Sequence, residues 1–146
     1  MKKKQIIGFV GQPGVGKTFA AKIFAKHGFH LVSVNDKVLE FAKCLFPVAI
    51  EHDKQNIIDA IRQKGCAVHK TYWLNLVLTS ISDEHDYIVF DDLLPEETVS
   101  KAIKAYQIYR PDISTEKFDE IEVVNNENID DFARAIEKLA IDIKKS

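Results

Sequence analysis

Arginine is scarce in this chain. Arg62, Arg110 and Arg134 are the three present, so lysine carries most of the positive charge. The formal net charge is −2, and no bulk electrostatic attraction draws the chain to nucleic acid. Cysteine is scarce too: Cys44 and Cys66 lie far apart and neither belongs to a C-x-x-C pair. That pattern excludes a disulfide framework and a cysteine zinc site, and it makes the cytoplasm the expected compartment. No apolar run approaches the roughly 20 residues of a membrane span, so no membrane partner is expected. The residues after Lys2-Lys3-Lys4 read as a strand, not as the core of a signal peptide. Repeats, low-complexity tracts and a linker are also lacking, and 146 residues then read as one domain. At 46% hydrophobic residues it can bury a core without metals or disulfides.

What is present is a glycine-rich octet, Gly11-Gln12-Pro13-Gly14-Val15-Gly16-Lys17-Thr18. It has the form G-x-x-x-x-G-K-[ST], the phosphate-binding loop of nucleoside-triphosphate enzymes. Gln5–Val10 before it is an apolar run of strand type. Phe19–Lys26 after it has helical spacing, with Phe19, Ile23 and Phe24 on one side. The chemistry explains the spacing. Glycines let backbone N–H groups approach phosphate oxygens without an intervening Cβ, and the helix that follows adds its positive dipole end. Lys17 brings a mobile charge to the β- and γ-phosphates, and the Thr18 hydroxyl completes a Mg²⁺ shell. Gly11 through Thr18, with Phe19 next to them, are therefore the candidate ATP-binding residues.

The rest of the chain alternates strands and helices. A second strand is predicted at Phe29–Val34 after a helix stop at Gly28. Asn35-Asp36 would then sit at its carboxyl end, facing the crevice where open α/β sheets bind ligands. Asp36 reads equally as the cap of a helix carrying Val38, Phe41, Ala42, Leu45 and Phe46. A helix from about His52 is expected to close at Gly65, with Arg62 and Lys64 in its last turn complementing the dipole. Another, from Lys70 to Ser82, is apolar most of the way round and places Trp73 in the core. Tyr87–Asp92 is an apolar strand ending in acids, one of which meets the metal in nucleoside-triphosphate sites. Strict alternation lets only one of Asp91 and Asp92 face that way, and Asp91 is favoured. Pro95-Glu96-Glu97 opens a predicted helix with Val99, Ala102, Ile103 and Tyr106 inside. Gln107–Arg110 and Glu120–Val124 are further strands, the latter half-exposed. Asn128 caps a final helix with a clean apolar stripe from Ile129 to Ile143. The predicted fold is a three-layer α/β/α domain around a mostly parallel sheet of about five strands, with the first strand inside it.

Other nucleotide-binding classes lack support. There is no N-K-x-D or D-x-x-G motif of a GTP-binding switch, and no glycine-rich signature of a transporter ATPase. In order and spacing the chain resembles the small nucleotide kinases with a phosphate loop. It is most similar to phage-type deoxynucleoside monophosphate kinases and to dephospho-coenzyme A kinases. The likeness runs over nearly the whole chain. It includes the glycine octet, Val32–Asp36 with Lys37-Val38-Leu39, Ile61–Gly65 with the Trp73 helix, and Ile88–Asp92 with Pro95-Glu96-Glu97. It continues through Ile108-Tyr109-Arg110-Pro111, Ser114-Thr115-Glu116, and Val123–Asn126 with Ile129–Phe132.

The resemblance implies transfer of the γ-phosphoryl of ATP, with Mg²⁺, to a (deoxy)nucleoside monophosphate. Lys17 and Thr18 would serve the donor, and Asp91 with Thr18 the metal. Arg62 would hold the acceptor phosphate, whose oxygens match its fork. Arg110 would lie near the donor. Asp36 would orient the acceptor, or take a proton from a hydroxyl acceptor. Two departures accompany the likeness. Leu93 stands where the family carries an arginine, and the reduced lid region between Asp92 and Glu120 holds Arg110 alone with three lysines. The alternatives are a non-catalytic ATP-binding module of the same fold, or transfer to a hydroxyl in the manner of a dephospho-coenzyme A kinase.

Overall fold

Every strand pair of the sheet is parallel, in the order β2-β3-β1-β4-β5. The computed structural model describes residues 4–114, 116–118 and 121–145. The strands are β1 (Gln5–Val10), β2 (His30–Val32), β3 (Tyr87–Leu93), β4 (Lys104–Tyr109) and β5 (Glu122–Asn125). The helices are α1 (Lys17–Lys26), α2 (Val34–Leu45), α3 (Lys54–Val68), α4 (Tyr72–Ser80) and α5 (Ile129–Lys145). The chain folds as two compact units. One runs to Val32 and resumes at Asp83; the other is Ser33–Ser82.

The first unit contains the whole sheet with α1 and α5. Ile7 and Phe9 of β1, Val89 of β3, and Tyr106 and Ile108 of β4 lie two apart along their strands and share one core. Two-residue periodicity puts such positions on one face. Phe24 of α1 and Phe132, Ile136 and Ala140 of α5 close that core. The Phe9 and Phe24 rings meet edge to face at 5.2 Å. A buried Phe contributes about 1.5–3 kcal/mol relative to exposure, so this cluster dominates the unit's apolar stabilisation. Central β1 sends the chain to β2 and β3 on one side, and β4 and β5 extend the other. The reversal falls at the carboxyl end of β1, where open parallel sheets bind their ligands.

The second unit is helical. Gly65 lies inside α3 and does not end it as the sequence suggested. A Cβ there would come within 2.3 Å of Trp73 Nε1, so the glycine is there for close helix packing, not as a stop. Trp73 is buried, and its Nε1 donates to Ile61 O at 3.4 Å.

Two further expectations change. The helix expected after Pro95 is a 3-10 turn, Pro95–Val99, and β4 begins at Lys104. Ile103 and Tyr106 fit helical spacing, but pairing of Lys104–Gln107 with Ile7–Val10 takes that segment into the sheet. A strand buried on both faces shows no alternation to betray it. Strand β2 is also shorter than expected, because α2 already starts at Val34. Glu120 at the expected start of the last strand, Lys2 and Lys3 of the leading run, and Thr115 lie outside the described residues.

Candidate functional site

Four strands bring residues to the carboxyl edge of the sheet. The glycine octet follows β1, Asp91 and Asp92 lie just before the end of β3, Arg110 follows β4, and Asn126 follows β5. All belong to the first unit.

The octet turns where the glycines allow it. Gly14 has φ +87° and Gly16 φ +112°, the left-handed region that side chains avoid. A Cβ on Gly16 would also stand 3.1 Å from both Asn126 Nδ2 and the Phe132 ring. Val15 is buried and its N–H donates to Gln12 O at 3.3 Å, which pins the loop's middle. Gln12, Pro13 and Gly14 are exposed. Gly16 then stands at the N-cap of α1 with no side-chain cap bond. The first turn of α1 has no acidic residue, unlike that of α5, where Asp130 and Asp131 sit. A helix start leaves backbone N–H groups unused by the helix and carries partial positive charge. Here no carboxylate of the helix itself offsets that charge. Lys17 Nζ donates to Gly11 O at 2.7 Å, so the ammonium is folded over its own loop. Thr18 is exposed on the first helical turn. Phe19 is exposed as well, and its ring stacks on Phe132 at 5.9 Å.

Asp91 and Asp92 break the alternation on which the sequence reading relied. Gly8 pairs with Phe90 and Val10 with Leu93, so Phe9 of β1 faces two residues of β3. This is a bulge, which interrupts the two-residue period and re-aims side chains at a strand end. Alternation therefore does not separate the two carboxylates; both are half-buried. Leu93 is 1% exposed and packs over Gly8. That position belongs to the core.

Arg110 reaches the octet. Its Nη1 donates to Gly14 O at 3.3 Å, and its Nε pairs with Asp112 Oδ1 at 3.0 Å. The turn that presents it is closed at both ends: Ser114 N donates to Arg110 O at 2.7 Å, and Arg110 N donates to Ser114 Oγ at 3.0 Å. Sequence reasoning missed Asn126 as a site residue. It is 9% exposed, and its Nδ2 donates to Val15 O at 2.7 Å. The signal available was a polar Asn directly after the last strand, a position beside the ligand edge. Gln107 was missed as well. Its buried amide accepts from Phe118 N at 2.8 Å and donates to Glu116 O at 2.9 Å, holding the chain beyond Arg110.

The remaining expected residues lie in the second unit. Arg62 is not in the final helical turn; it sits mid-helix in α3, 4% exposed, and its Nη1 donates to Asn35 Oδ1 at 2.8 Å. Asp36, next to Asn35, is exposed in the first turn of α2. It is neither at a strand end nor the cap, because Ser33 holds the N-cap position. Its charge there favours the helix dipole. The structure thus brings Arg62 to the residue beside Asp36, and Lys17 and Arg110 to one glycine loop.

No group of three or more His, Cys, Asp or Glu that could hold a metal occurs among the described residues. Mg²⁺ differs from metals that need such cages: it takes one or two protein oxygens plus phosphate oxygens and water. A threonine hydroxyl on α1 and the carboxylates just before the end of β3 are donors of the right hardness for it. No helix among the described residues is long and apolar enough to cross a membrane.

No protein-family model matches the chain, and no curated protein matches it. Among solved structures it is similar to the crystal structure of TT1252 from Thermus thermophilus, with a TM-score of 0.60 over 97% of this chain and 98% of that one. With 16% of residues identical, the likeness concerns the fold: an all-parallel α/β sheet flanked by helices.

Proposed function

We propose that the chain is a phosphate-loop kinase that binds ATP with Mg²⁺ and transfers the γ-phosphoryl to a (deoxy)nucleoside monophosphate or a related small metabolite. The observation that carries this is the glycine loop. A G-x-x-x-x-G-K-T octet occupies the turn between the central strand and α1, with left-handed glycines and the Lys17 ammonium over it. In this reading the amides of residues 14 to 18 receive phosphate oxygens and Lys17 leaves Gly11 O for them. Arg110, already over Gly14 O, adds a second positive charge. Thr18 and Asp91 would hold Mg²⁺, which neutralises charge developing on the transferred group.

On the acceptor side, Arg62 would grip the acceptor phosphate, with Asn35 fixing the guanidinium and Asp36 orienting the acceptor. Burying a guanidinium is costly unless it is bonded, and the Asn35 oxygen meets part of that need. Catalysis of this kind rests on positioning and charge neutralisation more than on a base. The reading includes the three-layer arrangement of that fold family and a cytoplasmic location.

A second reading has its own support. Leu93 packs into the core where the family carries an arginine, and one transition-state arginine is worth about 10³–10⁵ in rate where a finger is used. The alternative is therefore an ATP-binding module without transfer. The test is incubation with ATP, Mg²⁺ and a panel of nucleoside monophosphates and small hydroxylated metabolites, read by chromatography. A phosphorylated acceptor supports the kinase. ATP binding with no product from any acceptor supports the module.

A further inference from the structure

The second unit carries a groove of about 750 Å³ that the phosphoryl-transfer reading does not use. It lies between the end of α2, the length of α3 and the start of α4. Phe41, Leu45, Phe46, Val68, Tyr72 and Trp73 line it. Several of these are well exposed, Phe41 at 43%, Leu45 at 65% and Val68 at 82%. Pockets that bury a small ligand have volumes of roughly 300–1,000 Å³, mainly apolar walls and a few polar groups that fix orientation.

Part of the wall is aromatic. The Phe41 and Trp73 rings meet at 5.5 Å, and those of Tyr72 and Trp73 at 5.2 Å. Trp73 directs its N–H to Ile61 O, so that polar atom is already engaged within the unit. Few side-chain groups remain to read the polar edge of a base. The one charged side chain on the groove is Lys64. As part of a helix ending at Gly65 it would complement the dipole, but α3 continues to Val68 and its last turn holds no basic residue. No acid among the described residues pairs with Lys64. An apolar trough with a single cation beside it complements a molecule with an apolar body and an anionic head.

We propose that this groove binds an amphipathic monoanion, a carboxylate with a medium-length alkyl or aromatic body, whose head pairs with Lys64. The inference does not rest on the kinase reading, since none of the residues it uses is one to which that reading gives a role. The experiment is calorimetric titration of the full chain with octanoate and with 1-octanol, which share the body and differ in the head. Wild type is expected to bind octanoate saturably at one site. Lys64→Gln should weaken octanoate about three- to fivefold, the scale of an exposed ion pair, and leave octanol unchanged. Val68→Asp places a carboxylate at the groove and should weaken octanoate more than octanol. Both side chains are exposed, and circular dichroism confirms that the variants fold. No saturable binding of either compound, or an equal effect of Lys64→Gln on both, overturns the proposal. So does a dimer in sedimentation that Val68→Asp dissociates and octanoate does not, which would make the groove an interface between copies.

Discussion

The side-chain amide of Asn126 donates to the carbonyl of Val15 at 2.7 Å, tying the turn after the fifth strand to the turn after the first. The bond is buried, so removing the donor strands a carbonyl away from water. Asn126→Ala is expected to cost about 1–3 kcal/mol, measured by urea denaturation. Asn126→Asp should cost more, because a carboxylate oxygen would face the Val15 oxygen. If the octet holds phosphate, Asn126→Ala also weakens ATP binding. An unchanged stability would mean that the tether contributes nothing.

Lys17→Ala separates ligand binding from folding. The side chain is only partly buried and bonds a carbonyl of its own loop. Such a site changes stability by less than about 1 kcal/mol when truncated. ATP affinity, by contrast, should fall at least tenfold if the ammonium meets two phosphates, an effect of about 1.4 kcal/mol or more. Equal affinity for the variant and the wild type in calorimetry would remove the ATP reading altogether.

Leu93→Arg tests whether the arginine of the kinases that the chain resembles can be accommodated at this position. In the structure its side chain packs over Gly8 at 1% exposure. A guanidinium there would be buried without a designed partner, at a cost of several kcal/mol. We expect a lower melting temperature and no gain in phosphoryl transfer. A stable variant with raised turnover would show that the bulge at Asp91-Asp92 can turn this side chain outward.

The glycine octet was legible because its spacing is dictated by local chemistry: the turn takes positions 14 and 16 into left-handed backbone, which glycine adopts without a Cβ penalty. The final helix was legible for the same kind of reason, its cap Asn128 accepting from Asp130 N and Asp131 N at 3.0 and 3.1 Å. What was not legible depends on partners distant in sequence. The bulge at Asp91-Asp92 exists only in register with β1. Gly65 looks like a helix stop until Trp73 is set against it. The segment around Ile103 and Tyr106 has helical spacing, and the neighbouring strand overrides it. Asn126 was legible as part of the stretch after the last strand, but its bond to Val15 exists only in the fold.

Gly65→Ala probes the packing of the second unit. The added methyl would collide with the Trp73 ring, which also packs edge to face against Phe41. Overpacking of this kind costs about 1–3 kcal/mol. Trp73 is the only tryptophan in the chain, so intrinsic fluorescence reports on this unit directly. The variant should show a shifted emission maximum and an earlier unfolding transition. An unaltered emission with full stability would argue against the close α3–α4 approach.

His30 is expected to give the protein a small acid sensitivity. Its ring stacks on His85 at 3.8 Å, with the planes 2° apart. Burial first, and then the charge of His85, lower its pKa below the ordinary 6.5, while Glu84 acts in the opposite direction. The unfolded chain therefore takes up this proton more readily than the folded one. The contribution is complete above pH 6.5 and is lost as pH falls from there through the folded value. The site is largely exposed, so the effect is modest. Stability at pH 5.5 should be lower than at pH 7.5, and His30→Gln should flatten that slope. A slope identical in the variant would assign the acid sensitivity to other groups.

Strands β2 and β3 are parallel neighbours, paired from His30 with Ile88 to Val32 with Phe90. Whatever joins them must carry the chain back from the end of one to the beginning of the other, a return that takes about a dozen residues or more. The Ser33–Ser82 unit therefore does two jobs, as a body in its own right and as the return path of the sheet. It can be exchanged for a different module, or pared down, only while a tether long enough for that journey is kept. A shorter graft would unzip β2 from the edge of the sheet, whatever its own sequence prefers.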